Sequence, residues 1–265
     1  MFQLTPPAYH SPDDTHPSLL QRLIPWCTRL PFYARTIRSL LKGRRQSLRG
    51  EFCDQVFSDR AVDILRAVEK AGGKVHITGL EHIAGTPGPA VFAGNHMSML
   101  EIFLLPAAIS PHKGVGFVVK ESLGRNWLMG PVVDAQQAIQ VGRTNAREDL
   151  ATVLREGQER LGRNHSMIIF PQGTRSDSFP VSRFNSLGVK LAKRAGVPLI
   201  PFAAKTDFLA NGRWVKDLGP VHPERDVHIA FGPAITDVSD QKTAQQTCID
   251  FIRTKLTEWG ATCVE

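Results

Sequence analysis

The stretch Ala90-Val91-Phe92-Ala93-Gly94-Asn95-His96-Met97-Ser98-Met99-Leu100-Glu101 decides the fold. Its first four residues are an apolar, β-prone run, and residues 99–107 follow a helical apolar pattern. A strand that feeds directly into a helix is the unit from which parallel sheets are built. The unit recurs along the chain. Strand candidates are residues 75–78, 90–93, 116–119, 138–141, 167–170, 199–203 and 227–231. Helical patterns lie near residues 52–70, 99–107, 147–161, 184–195 and 241–259. This alternation predicts an α/β domain with a largely parallel central sheet and flanking helices. Ligands in such folds sit beyond the carboxyl ends of strands, so motifs that directly follow strand candidates can converge.

Two islands occupy such positions. The first is Asn95-His96-Met97-Ser98-Met99-Leu100-Glu101, after residues 90–93. The second is Phe170-Pro171-Gln172-Gly173-Thr174-Arg175-Ser176, at the end of residues 167–170. A histidine can take a hydroxyl proton in a transition state. A carboxylate on its far ring nitrogen fixes the tautomer and stabilises the imidazolium. Five residues along a straight helix would place His96 and Glu101 on different faces, so the pair requires a bend. A second reading needs no chemistry: Ser98 as N-cap and Glu101 three residues on form a capping box. In the second island Gly173 permits a tight turn, Thr174 and the main chain offer donors, and Arg175 offers a forked cation.

Both islands resemble the glycerolipid acyltransferase family, best known for its 1-acylglycerol-3-phosphate acyltransferases. That family carries an Asn-His-x-Ser-x-x-Asp block and then a Phe-Pro-Glu-Gly-Thr-Arg-Ser block. The chain departs once from each, with Glu101 for aspartate and Gln172 for glutamate. Val141-Gly142-Arg143 is similar to an intervening apolar-x-Arg block, and Val197-Pro198-Leu199-Ile200-Pro201-Phe202 to a final Val-Pro-apolar-apolar-Pro block. The resemblance covers residues 74–233. It implies transfer of a fatty acyl group from acyl-CoA or acyl carrier protein to a lysophospholipid hydroxyl, with 1-acylglycerol-3-phosphate as the expected acceptor. It makes His96 and Glu101 catalytic. It assigns Gly173, Thr174 and Arg175 to the acceptor's phosphate, with Arg143 as a second cation. Gln172, Asn95 and Ser98 join them as substrate-binding residues. No cofactor is implied beyond the acyl donor. The histidine-to-glutamate spacing is similar to that of lipid A secondary acyltransferases, and Gln172 lacks the family's negative charge. The acceptor could therefore be another lysolipid, such as a lyso-ornithine lipid, or a glycolipid. A lipid-binding relative without turnover is the non-enzymatic alternative.

Charge is unevenly placed. Between Thr15 and Gly50 there is no acid, and the basic residues are Arg22, Arg29, Arg35, Arg38, Lys42, Arg44, Arg45 and Arg49. The chain's whole net charge of +7 resides there. Leu19, Leu20, Leu23, Ile24, Cys27 and Leu30 share one helical stripe, beside Trp26, Phe32 and Tyr33. Pro25 and Pro31 are expected to break or kink a helix. No run reaches the ~18–20 apolar residues of a membrane span. The composition predicts short helices in the interface of an anionic membrane, on its cytoplasmic face. A helical arm packed on its own domain is the alternative. Expected divisions are 1–70 (basic amphipathic helices), 71–240 (the acyltransferase core) and 241–265 (a C-terminal helix packed on it).

The remaining signals exclude function classes. Cys27, Cys53, Cys248 and Cys263 are scattered, as free thiols are, and no histidine or cysteine spacing suits a metal. Gly114-Val115-Gly116 lacks the rest of a dinucleotide fingerprint. No nucleic-acid module accompanies the basic segment. Lys120-Glu121 fits a solvated pair.

Overall fold

The structure, a computed structural model, describes residues 3–265. The side chains of Leu20, Arg22, Pro25 and Cys27, four members of the basic amphipathic segment, lie outside the described residues. In chain order the elements begin with β1 (Ala8–His10), α1 (Leu19–Leu23), α2 (Pro25–Leu48), α3 (Asp54–Lys70), β2 (Val75–Thr78), α4 (Leu80–Ala84), β3 (Val91–Gly94) and α5 (Leu100–Ile109). There follow β4 (Gly114–Lys120), α6 (Glu121–Gly124), α7 (Gly130–Ala135), β5 (Ile139–Val141), α8 (Ala146–Gly162), β6 (His165–Ile169) and β7 (Phe179–Pro180). A 3-10 turn (Val181–Arg183) leads to α9 (Leu187–Ala195), β8 (Leu199–Lys205), β9 (Val227–Phe231), α10 (Gln241–Glu258) and β10 (Cys263–Val264).

Among the described residues the strands form an eight-stranded sheet in the order β1-β2-β9-β8-β3-β6-β4-β5. From β8 through β3, β6 and β4 to β5 every pairing is parallel, as is β2 with β9. The pairs β1 with β2 and β8 with β9 are antiparallel. All seven strand candidates lie in this sheet. The apolar runs of β3 and β8 are continuous because both faces are covered by helices, whereas His76, Gln140 and His228 interrupt the outer strands β2, β5 and β9. Along β3, Phe92 enters a cluster with Phe32 of α2, Leu65 of α3 and Leu104 of α5. Its neighbours Val91 and Ala93 enter the opposite cluster, with Leu191 of α9 and Ile252 of α10. That is the two-residue alternation of a pleated strand.

Three expectations are corrected. First, Pro31 breaks nothing: α2 runs through it. The lost hydrogen bond is outweighed by tertiary packing on the next residue, where Phe32 is fully buried edge-on to Phe208 at 5.6 Å. Second, the region before residue 71 is not wholly helical. Ala8–His10 adds an edge strand to β2, clamped where the Ser11 main-chain N–H donates to Val75 O at 2.9 Å and Val75 N–H donates to Ser11 Oγ at 2.9 Å. Three residues are too few to show alternation in the sequence. Third, the C-terminal piece is more than a helix, because Cys263–Val264 pairs with Phe179–Pro180.

The faces of α2 bear on both readings of the N-terminal segment. Thr28, Phe32, Thr36 and Ser39 are buried on one stripe, so the helix is an integral packing element. The opposite side carries exposed Trp26, Leu30, Ile37, Leu41 and Leu48, continued by Leu19, Leu23 and Ile24. Arg35, Arg38, Lys42, Arg45 and Arg49 stand exposed among them. The 211–219 loop is tied to α2 where Arg29 donates to Leu218 O at 2.8 Å and Tyr33 Oη donates to Gly219 O at 2.8 Å. It presents Trp214, which is 92% exposed, with Val215 and Leu218. Farther along α2, Arg44 lies over exposed Trp127 at 4.8 Å and donates to its carbonyl.

Candidate active site

The parallel register builds the site. Ala93 of β3 is opposite Ile169 of β6, and Gly94 is opposite Phe202 of β8. The residues that leave the carboxyl ends of these three adjacent strands therefore meet. Gly94 permits the approach: a Cβ there would lie 2.4 Å from Phe202 O and from the Phe202 ring.

His96 is held on every side. Its main-chain N–H donates to Gln172 Oε1 at 2.7 Å, and its carbonyl accepts from Ser176 N at 2.9 Å. The second island thus grips both polar groups of the first island's backbone. The imidazole stacks on Phe170 at 4.1 Å between centroids. Nδ1 is 2.8 Å from Glu101 Oε1. With Nδ1 turned to the carboxylate, the other ring nitrogen, Nε2, is left for a substrate.

Glu101 is fully buried, so its oxygens need partners. They have them. Oε1 accepts from Met97 N at 2.7 Å and from Ser98 N at 3.0 Å, besides His96. Oε2 accepts from Thr206 Oγ1 at 2.6 Å. The bend that the pair requires is the turn at residues 97–99, after which α5 starts at Leu100. The capping pattern is present in altered form: Glu101 reaches back to Ser98 N–H, while Ser98 Oγ accepts from Leu100 N at 3.0 Å. One carboxylate thus caps the helix and orients the histidine.

Two residues expected at the substrate are internal instead. The Asn95 amide donates to Ala204 O at 2.7 Å and accepts from Ala204 N at 2.8 Å, so both ends are used to clamp β8. Ser98 is buried, and its hydroxyl lies 2.9 Å from Thr206 Oγ1. Short polar side chains at a strand end satisfy the backbone released there before they reach a ligand. Gln172, through its bond to His96 N–H, positions the base. Its Nε2 is buried without a partner among the described residues.

The Gly173 turn closes where Gly173 N–H donates to Phe170 O at 3.0 Å, with Gly173 at φ +72°. A Cβ at Gly173 would meet nothing, so the left-handed backbone, not space, calls for glycine. Arg175 Nη2 donates to Asp217 Oδ1 at 2.6 Å, and Lys216 Nζ donates to Thr174 Oγ1 at 3.3 Å. Arg143, at φ +57°, is exposed and has no hydrogen bond or ion pair among the described residues. It follows β5, two strands from β6 in the sheet.

Thr206, Phe170, Lys216 and Asp217 were not singled out from the sequence. Thr206 follows β8 directly, and the rule that sites gather at strand carboxyl ends is the signal that points to it. Between α2, α3 and α5 an apolar cavity is lined by Leu40, Phe52, Phe57, Ile102, Phe103 and Met129. Ile102 and Phe103 follow Glu101 on α5. No cluster of His, Cys, Asp or Glu among the described residues is placed to hold a metal ion.

A histidine–carboxylate pair at the strand ends of a mostly parallel α/β sheet is a set of parts for acid–base chemistry, and known proteins narrow the class. The acyltransferase family model matches residues 74–205. A 1-acyl-sn-glycerol-3-phosphate acyltransferase of Pseudomonas aeruginosa is 27% identical over 166 residues, 62% of this chain and 60% of that protein. A probable 1-acyl-sn-glycerol-3-phosphate acyltransferase of Mycoplasma pneumoniae is 31% identical over 176 residues, 63% of this chain and 64% of that protein. A chloroplastic counterpart of Arabidopsis thaliana is 28% identical over 128 residues, 48% of this chain and 35% of that protein. The chain thus spans less than two thirds of the length of each of these relatives. The crystal structure of the 1-acyl-sn-glycerophosphate acyltransferase PlsC of Thermotoga maritima superposes with a TM-score of 0.67 at 19% identity. That match covers 92% of this chain and all of the other, and shows a shared fold. The chain belongs to the glycerolipid acyltransferase family.

Proposed function

We propose that this protein transfers a fatty acyl group from acyl-CoA or acyl carrier protein to the free hydroxyl of 1-acylglycerol-3-phosphate, giving phosphatidate. The observation that carries this reading is the His96–Glu101 contact of 2.8 Å beside the Gly173 turn. The acceptor hydroxyl gives its proton to His96 Nε2 as its oxygen attacks the thioester carbonyl. Glu101 stabilises the imidazolium that forms. The tetrahedral intermediate collapses, the carbon–sulfur bond breaks, and the proton passes from the imidazolium to the leaving thiolate. Catalysis therefore needs no nucleophile from the protein. The apolar cavity along α2, α3 and α5 is the candidate seat for part of an acyl tail. The names of the relatives support lysophosphatidate as acceptor. Gln172 Oε1 accepts from His96 N–H, a bond that the family's carboxylate could also accept. The test is thiol release from acyl-CoA and from acyl carrier protein with a panel of lysolipids. Turnover is expected with 1-acylglycerol-3-phosphate above lysolipids without a terminal phosphate. A preference for a lyso-ornithine lipid or a glycolipid would reassign the acceptor, and no turnover with any would leave a lipid-binding protein.

The same reading places the protein peripherally on an anionic membrane, at its cytoplasmic face. No helix among the described residues is long and apolar enough to cross a bilayer. The exposed apolar side of α2, its arginines and the Trp214 loop supply an interfacial surface, with each basic residue near anionic lipid worth ~1 kcal/mol. Deleting α2 would remove core residue Phe32, so the test uses surface substitutions. Leu23→Ser, Trp26→Ser and Leu30→Ser together are expected to abolish co-sedimentation with anionic vesicles at unchanged Tm. Binding by the unaltered protein is expected to weaken as salt rises. Equal sedimentation of both proteins would make α2 a packing arm alone.

A further inference from the structure

We propose that the 211–219 loop covers the acceptor's phosphate seat: Lys216 is a phosphate-binding residue, and Asp217 holds Arg175 until the phosphate displaces it. The proposal rests on the reading of the Gly173 turn as that seat. Four observations carry it. The loop is a closed excursion, not a frayed one. Its neck is drawn together where Ala210 N–H donates to Pro220 O at 3.1 Å and Leu209 bridges Val221. Within it Gly212 N–H donates to Lys216 O at 3.1 Å. Its inner side lies over the site. Asn211 donates to Met97 O at 3.0 Å and to Asp177 Oδ1 at 2.9 Å, which joins the loop to the His96 turn.

The chemistry of the contacts is that of a stand-in. Arg175 presents a fork of donors, one of which meets a single Asp217 oxygen at 2.6 Å. Its other terminal nitrogen, Nη1, is buried without a partner among the described residues. The arginine side chain is only 15% exposed, while Asp217 is 57% exposed. An exposed carboxylate thus sits on a well-buried cation and leaves half of its fork unused. A phosphate monoester carries up to two charges and three terminal oxygens, so it can take the fork in pairs. Lys216 Nζ, 3.3 Å from Thr174 Oγ1, stands on the same turn and is ready to meet a third oxygen. With Asp217 displaced, Arg175 and Lys216 face the phosphate together. Lys216 then serves as a further cation at the Gly173 turn. The loop's exposed Trp214 and its ties to α2 put this cover where a lipid acceptor would arrive from the membrane.

The experiment measures acceptor KM, donor KM and the inhibition constant of inorganic phosphate for Lys216→Ala, Lys216→Arg, Asp217→Asn and Arg175→Ala in the full chain. Lys216→Ala is expected to raise acceptor KM and the phosphate constant by about tenfold, as a charge-assisted contact does, and Lys216→Arg to restore most of the loss. Asp217→Asn is expected to lower both several-fold. Donor KM should follow neither change. If Arg175→Ala raises acceptor KM while both loop variants stay within a factor of two of the unaltered protein, the seat stands and the loop proposal falls. A raised phosphate constant in Asp217→Asn would make Asp217 a support for Arg175 and overturn displacement. If Arg175→Ala leaves acceptor KM unchanged, the seat itself is wrong.

Discussion

Replacing His96 with alanine is expected to lower acyl transfer by about 10²–10⁴-fold, the range that a positioned general base contributes. The fold should survive. The imidazole stacks on Phe170 and is held through Nδ1, but its backbone is secured independently by Gln172 and Ser176. The loss should therefore appear in kcat with Tm changed by only a few degrees. His96→Gln is the harder control, because an amide keeps a hydrogen bond to Glu101 and cannot take a proton. If either variant, shown to be folded by circular dichroism, transfers acyl groups within a factor of two of the unaltered protein, His96 is not the base.

Glu101→Gln is expected to produce the second-largest effect, and to damage stability and turnover together. From the capping pattern alone, glutamine is a mild change that keeps much of the reciprocal bond. The tertiary structure shows otherwise. Glu101 is fully buried among the N–H groups of Met97 and Ser98, the His96 ring and the Thr206 hydroxyl, all of which can donate. An amide that keeps its oxygen toward Met97, Ser98 and His96 turns its NH₂ to the Thr206 hydroxyl, which must then accept instead of donate, and to the Ser98 N–H that shared that corner, an obligate donor. Each unsatisfied buried group costs about 1–3 kcal/mol. Denaturant unfolding should register a loss of that order, and kcat should fall by at least tenfold, because the imidazolium loses its counter-charge. Lost stability with unaltered kcat would make Glu101 a helix cap and nothing more. Unaltered stability and kcat would mean that the carboxylate network is dispensable.

The two variants separate what is local from what is not. His96, Glu101 and the Gly173 turn could be singled out in sequence because each follows an apolar strand run within a few residues and falls in a block that resembles a known family's. The inner strands β3 and β8 were legible for a related reason: a strand buried on both faces is apolar throughout, and the flanking helical periodicity marks the crossovers. The short edge strand Ala8–His10 shows neither sign, and its place is set by Val75, more than sixty residues away.

What the sequence by itself determined about this protein is the α/β alternation, the two islands at strand ends and a segment that carries all of the net charge. The tertiary structure alone decided which of the polar residues face inward. Thr206 completes the Glu101 carboxylate across 105 residues, Asn95 is drawn to Ala204 across 109, and Asp217 reaches Arg175 across 42. No local periodicity encodes such pairings. They follow from the parallel register of β8, β3 and β6, and from the requirement that each polar group buried by that register find a partner. The same register that brings the two islands together also ties Asn95 to Ala204 and Ser98 to Thr206 inside the fold.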